Sequence, residues 1–155
     1  MKKAIIICGF PGVGKTSVAN NRTNILDAES SAFSWNWNPE NPEKGIERNP
    51  DFPHNYIKYI QENQEKYDFI LVSSHEGVRN ELKAQGIQYI IVAPEFHVRN
   101  EYMIRYLQRG SDIEFIESLY ENWVEFLQSI KNDGAPVIWL DDGKYMSDVL
   151  GFLAK

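Results

Sequence analysis

Short runs of uninterrupted apolar residues recur along this chain, separated by longer stretches that are apolar on one side only. The runs are Ala4-Ile5-Ile6-Ile7-Cys8, Asn24-Ile25-Leu26-Asp27, Asp68 to Ser73, Gln88-Tyr89-Ile90-Ile91-Val92 and Pro136 to Leu140. Apolar character at successive positions, rather than at alternate ones, suits strands covered on both faces. The stretches between them have helical spacing. Asn55 to Lys66 and Gly77 to Gln85 are two such segments, the second with Gly86 as a stop signal. His97 to Gln108 is a third. From Asp112 to Lys131, Ile116, Leu119, Tyr120, Trp123, Leu127 and Ile130 fall on one face, with Asp112 as N-cap. Met146 to Leu153 closes the chain as a last helix. Strands alternating with helices predict right-handed crossovers and a parallel, three-layer α/β sheet.

The first strand leads into Gly9-Phe10-Pro11-Gly12-Val13-Gly14-Lys15-Thr16, which fits G-x-x-x-x-G-K-[ST] at every fixed position. Ser17-Val18-Ala19 then begins a helix. Strand, glycine loop and helix start together make a phosphate-binding P-loop. Several donors must converge on phosphate oxygens, and backbone N–H groups do this where no Cβ intervenes. Gly9, Pro11, Gly12, Val13, Gly14, Lys15, Thr16 and Ser17 form this nucleotide cradle. Lys15 would reach the β- and γ-phosphates, and Thr16 would hold Mg²⁺ through its hydroxyl. With only eight or so residues between Thr16 and the second strand, either the first helix is short or that strand is misplaced.

Composition narrows the picture. A chain of 155 residues, 43% hydrophobic, fits one domain with a real core. A net charge of −6 argues against a broad nucleic-acid footprint. The lone Cys8 excludes a disulfide within the chain. The apolar run after Met-Lys-Lys is too short for a signal segment or membrane span, so a soluble cytoplasmic protein is expected. His54 and His97 have no metal-ligand spacing.

One stretch breaks the alternation. Ser30 to Pro53 is rich in proline and asparagine and reads as a loop, yet carries Phe33, Trp35 and Trp37. Loops this long are functional or disordered. Two readings stand: a binding flap with rings available for stacking, or a loop anchored by its aromatics.

With these features the chain resembles the small P-loop kinases, the group of nucleoside monophosphate kinases and shikimate- or gluconate-type kinases. It is similar to short nucleotide-kinase-like proteins of phages and bacteria. The resemblance follows the element order along nearly the whole chain, residues 1–155 as a single domain, although only the P-loop is a specific motif. It implies a three-layer α/β/α P-loop fold whose five-stranded parallel sheet has the order 2-3-1-4-5. It implies ATP and Mg²⁺, an acceptor-binding insert at about 30–53 and an arginine-bearing lid at about 95–110.

The lid range carries Arg99, Arg105 and Arg109. Arg105 and Arg109 share a helix face, and guanidiniums suit a transferring phosphoryl group. Alternatively they pair with Glu101 or Glu114 on a solvated face. After the third strand, Arg79 matches the arginine that grips an acceptor phosphate in monophosphate kinases. The aspartate expected before it is absent, with Ser73 and Ser74 in its place. His75 stands at the carboxyl edge of a central strand, for chemistry or for helix capping. Asp27, followed by Glu29, matches the acidic position of shikimate-type kinases and is a candidate general base or metal partner. Asp141-Asp142-Gly143-Lys144 matches the loop that meets the donor base, and would equally make a plain turn.

The sequence therefore reads as an ATP-dependent phosphotransferase. Lys15, Asp27, Arg105 and Arg109 are its catalytic candidates, and Asp27, Phe33, Trp35, Trp37 and Arg79 line its acceptor. The leading acceptor is a small molecule, a (deoxy)nucleoside monophosphate. Two alternatives stay open: a kinase for another acceptor (a metabolite hydroxyl, a modified base or a nucleic-acid end), and a non-catalytic nucleotide-binding module. No Asn-Lys-x-Asp motif supports a GTPase.

Overall fold

The computed structural model describes residues 3–20, 22–28 and 50–149, with the backbone alone at 35–37 and 46–48. Glu29 and Phe33 lie outside the described residues. Five strands form one parallel sheet: β1 (Ile5–Gly9), β2 (Ile25–Asp27), β5 (Phe69–Ser73), β6 (Tyr89–Pro94) and β7 (Val137–Leu140). Their spatial order is β2-β5-β1-β6-β7. Counted within this sheet alone, that is 2-3-1-4-5, with helices on both sides.

The central strands are apolar throughout because both faces are covered. Ile6, Ile7 and Cys8 of β1, Phe69 to Val72 of β5, and Ile91 to Ala93 of β6 are all buried. Burial raises the Cys8 thiol pKa far above its ordinary value, so Cys8 acts as a core hydrophobe.

Helix α1 (Lys15–Ala19) has five residues. The short spacing after the P-loop therefore reflects a short helix, and β2 stands where the sequence put it. Within the stretch expected to be loop-like, β3 (Trp35–Trp37) pairs antiparallel with β4 (Ile46–Arg48). Helix α2 (His54–Asn63) buries Tyr56, Ile57 and Ile60, and α3 (Glu76–Ala84) buries Val78, Arg79 and Leu82. Gly86, at φ +70°, ends α3 in the left-handed conformation, and the Ile87 N–H bonds back to the Leu82 carbonyl.

The segment expected to be a lid begins with a short 3₁₀ turn (Phe96–Val98), and α4 (Arg99–Gln108) follows it. The long helix expected from Asp112 to Lys131 is two helices, α5 (Ile113–Glu121) and α6 (Trp123–Lys131), separated at Asn122. Asn122 leaves the helical region at φ −101° and ψ 11°, and its side-chain amide donates to the Ser118 carbonyl. An asparagine amide competes with the backbone in this way. The apolar stripe survives the break, with one exception. Tyr120 is exposed, its ring under the Arg99 guanidinium at 4.1 Å. It sits at the edge of the stripe, where the ring stacks on the cation and the hydroxyl accepts from the Arg99 Nη2 at 3.3 Å. Trp123 is the largest buried side chain of the stripe. It meets Phe10 edge-on at 5.4 Å and donates from Nε1 to the Phe96 carbonyl. The core thus reaches the floor of the glycine loop. Of the last expected helix, 147–149 is helical and Leu150 to Leu153 lie outside the described residues.

Candidate functional site

The glycine loop, the end of β2 and the end of β5 meet at the carboxyl edge of the sheet, where parallel α/β sheets build ligand sites. Gly9 lies abreast of Ser73, and Asp27 abreast of Leu71. The loop closes through a bond from the Val13 N–H to the Phe10 carbonyl. Gly12, at φ +91°, takes a conformation that a side chain resists. Lys15 folds back over the loop and donates from Nζ to the Gly9 carbonyl at 2.8 Å. A Cβ at position 9 would come within 2.8 Å of the Lys15 Cδ, so glycine there makes room for the lysine stem. Ser17, one residue beyond Thr16 on α1, is exposed.

The structure brings Thr16 and Asp27 together. The Thr16 Oγ1 donates to the Asp27 Oδ2 at 3.0 Å. The other carboxylate oxygen, Oδ1, is buried with no hydrogen-bond partner among the described residues. An unpartnered buried carboxylate oxygen beside a P-loop threonine is what a site for Mg²⁺ and its waters would supply. Among the described residues no group of three or more His, Cys, Asp or Glu side chains could cage a metal. A Mg²⁺ that takes most of its ligands from phosphate and water needs no such cage.

Tyr56 braces this edge from below. Its hydroxyl donates to the Ala28 carbonyl and accepts from the Ser73 N–H, joining the ends of β2 and β5. Nothing in the local sequence marks this tyrosine; its place on the buried face of α2 is the only clue. Ser73 Oγ accepts from the His75 N–H, and His75 Nδ1 accepts from the Gly77 N–H, so His75 caps α3. His54 and His97 pair with Glu81 and Asp141.

Arg79 is not gathered into this edge. Its side chain is 4% exposed and its Nη1 meets Asp133 at 2.6 Å. Nη2 donates to the Ser129 Oγ and Nε to the Ser74 carbonyl. Asp133 also accepts from Tyr89, Lys83 and the Ala135 N–H. Burial opposes the charge on Asp133. The hydrogen bonds from Tyr89, Arg79 and Lys83 outweigh it and hold the carboxyl below its ordinary range.

Arg105 is buried as well, against the glycine loop. Its Nη1 donates to the Gly12 carbonyl at 2.9 Å, and its Nη2 to Glu101 and to the Lys144 carbonyl. The rings of Tyr102 and Tyr145 lie on it at 4.2 and 3.8 Å. Burial works against ionised Glu101, but Arg105, Asp142 and the Gly143 N–H outweigh it and lower its pKa. Asp142, hydrogen-bonded to Glu101 and facing its charge, is raised. The 141–144 loop is therefore more than a plain turn: Glu101 and Arg105 tether it to α4. Arg109 is exposed, with Nε donating to the Ser111 Oγ and the guanidinium 5.1 Å from the Tyr106 ring. Of Trp35 and Trp37 the backbone alone is described, in β3. Cavity size does not locate the site: a cavity of about 1300 Å³ opens at the opposite edge of the sheet between Ile6, Gln64, Tyr89 and Pro136.

Sheet order and glycine loop define a P-loop α/β/α fold. A solved gluconokinase from Sinorhizobium meliloti 1021 has the same fold. The two superpose with a TM-score of 0.55 at 17% identity, over 96% of this chain and 87% of the gluconokinase. No protein-family model matches the chain, and no curated protein matches it significantly. No described helix is long and apolar enough to cross a membrane.

Proposed function

We propose that this protein is an ATP-dependent phosphotransferase that uses Mg²⁺ and moves the γ-phosphoryl group to a hydroxyl of a small acceptor. The observation that carries this reading is the Thr16–Asp27 contact at the mouth of the glycine loop, with the Asp27 Oδ1 unpartnered among the described residues. The loop amides and Lys15 would bind the donor phosphates. Thr16 Oγ1 and Asp27 would hold the metal, which supplies charge neutralisation when bound. Asp27 would also orient the acceptor hydroxyl and take its proton as the new O–P bond forms and the β–γ bridging bond breaks. Arg109 remains the lid cation for the transferring group. The likeness to a gluconokinase is compatible with such an acceptor.

The nucleoside monophosphate reading loses its phosphate grip, because the Arg79 guanidinium is occupied by Asp133 and Ser129. A base-bearing acceptor keeps one support: Trp35 and Trp37 fall on a strand in the stretch after β2, where an acceptor insert is expected. A screen of Mg²⁺-dependent ATP consumption against nucleosides, nucleotides, sugars and sugar acids tests both readings. We expect turnover with a hydroxyl acceptor that Lys15→Ala abolishes. ATP binding without turnover on any acceptor would instead favour a non-catalytic nucleotide-binding module.

A further inference from the structure

Five consecutive carbonyls of the glycine loop, Gly9 to Val13, each accept a hydrogen bond. Gly9 accepts from the Lys15 Nζ and Phe10 from the Val13 N–H. Pro11 accepts from the Tyr106 hydroxyl at 2.6 Å, Gly12 from the Arg105 Nη1 at 2.9 Å, and Val13 from the Met146 N–H at 2.7 Å. Three of these donors come from the loop or from just beyond β7. The other two, Arg105 and Tyr106, are neighbours on α4, more than 90 residues away along the chain.

The peptide unit is planar and trans, so a carbonyl and the N–H of the next residue point in opposite directions. Holding the Pro11 carbonyl toward α4 turns the Gly12 N–H to the other side of the loop. Holding the Gly12 carbonyl keeps the Val13 N–H aimed at Phe10, where it closes the turn. A loop that binds phosphate through backbone N–H groups needs this arrangement before the ligand arrives.

A second observation points the same way. A Cβ on Gly12 would lie 2.9 Å from the Tyr106 Cε1 and 3.2 Å from the Tyr102 Cδ2. Helix α4 therefore packs flush on the loop at the position that lacks a side chain. The same guanidinium that holds Gly12 also holds the Lys144 carbonyl, through Nη2. One buried arginine thus joins the phosphate loop to the 141–144 loop.

We propose that Arg105 and Tyr106 are positioning residues for the donor phosphates: from α4 they brace the glycine loop in its phosphate-binding shape. This rests on the ATP-binding part of the function proposed above. It also reassigns Arg105, whose side chain is only 7% exposed, from clamping the transferring group to shaping the loop that receives it.

The test is ATP titration of the full chain without acceptor, beside steady-state kinetics. Loss of one neutral hydrogen bond in Tyr106→Phe weakens ATP binding about three- to tenfold. The loss falls on KM for ATP rather than on kcat or on KM for the acceptor. Arg105→Ala weakens ATP binding further, and Arg105→Lys, which keeps a donor, recovers part of it. Unchanged ATP affinity in Tyr106→Phe overturns the brace. So does an Arg105→Ala variant that keeps ATP affinity and loses kcat. Amide hydrogen exchange in the ligand-free protein separates this inference from the functional reading. Faster exchange of the Val13 N–H in Arg105→Ala supports the brace even if no ATP binding is found, and an unchanged rate counts against it.

Discussion

Replacing Arg79 by methionine separates the two roles open to this residue. Methionine keeps much of the apolar stem and removes every donor. Asp133, 1% exposed, then loses its closest partner, a guanidinium nitrogen at 2.6 Å. Breaking a buried ion pair by removing one partner costs about 3–5 kcal/mol, because the remaining charge stays buried. Asp133 would keep the Tyr89 hydroxyl at 2.7 Å, the Lys83 ammonium at 3.1 Å and the Ala135 N–H at 3.3 Å. The lower end, about 3 kcal/mol, is therefore expected. For a chain of this size that is a fall of about 6–12 °C in Tm. Urea and thermal melts of Arg79→Met, Asp133→Asn and the double variant measure it. The double variant should be clearly less destabilised than the sum of the singles, since the two side chains touch. A Tm unchanged within about 1 °C, together with a raised KM for a phosphorylated acceptor, would refute the reasoning and return Arg79 to the acceptor site.

Three further outcomes follow from the same geometry. Asp27→Asn should lower phosphoryl transfer by about 10²- to 10⁴-fold while ATP binding changes little; an unaltered kcat would remove Asp27 from the chemistry. Gly12→Ala should weaken ATP binding about tenfold, since position 12 sits at φ +91° and the new methyl would meet Tyr106. Wild-type affinity in that variant would show that the loop relaxes freely. Finally, the Asp133 carboxyl is held below its ordinary value of 3.8. Its contribution to stability is then complete above that pH and is lost as pH falls through the depressed folded value. Urea midpoints measured down to about pH 2.5 should drop more steeply for wild type than for Asp133→Asn. Parallel acid profiles would contradict this.

What could be read from the sequence was local. The glycine loop declares itself because its residues are contiguous, and the central strands because their buried stretches are apolar at successive positions. The short α1 followed from counting residues between Thr16 and β2. What could not be read depended on partners far away in the chain. Arg79 was expected to clamp the acceptor because it follows β5; the carboxylate it meets in the fold, Asp133, is 54 residues on. Arg105 looked like a lid cation because it shares a helix face with Arg109; it reaches Gly12 across 93 residues. An arginine's helical position says which way it leaves the backbone and not whether a buried carboxylate or carbonyl waits there. The break at Asn122 was hidden for a related reason: the apolar stripe runs through it with its period kept.

The burial of these two arginines constrains the acceptor. A phosphorylated acceptor would bring a second dianionic group close to the donor γ-phosphate. At about 4 Å, two unit charges repel by about 4 kcal/mol in surroundings with an effective dielectric constant of 20. Enzymes meet that repulsion with fixed cations, and guanidiniums suit it best. At the carboxyl ends of β2 and β5 the described residues supply Asp27, Ser73, Ser74 and His75. The arginine nearest this edge in sequence is turned inward onto Asp133. A carboxylate and hydroxyls are groups that accept from and donate to an alcohol. They are poor company for a second phosphate. KM for the acceptor should then change little between about 50 and 300 mM salt, because no cation among the described residues of this edge pairs with it and screening has little to act on. A steep rise of KM over that range would instead point to an anionic acceptor gripped by cations that lie beyond this edge.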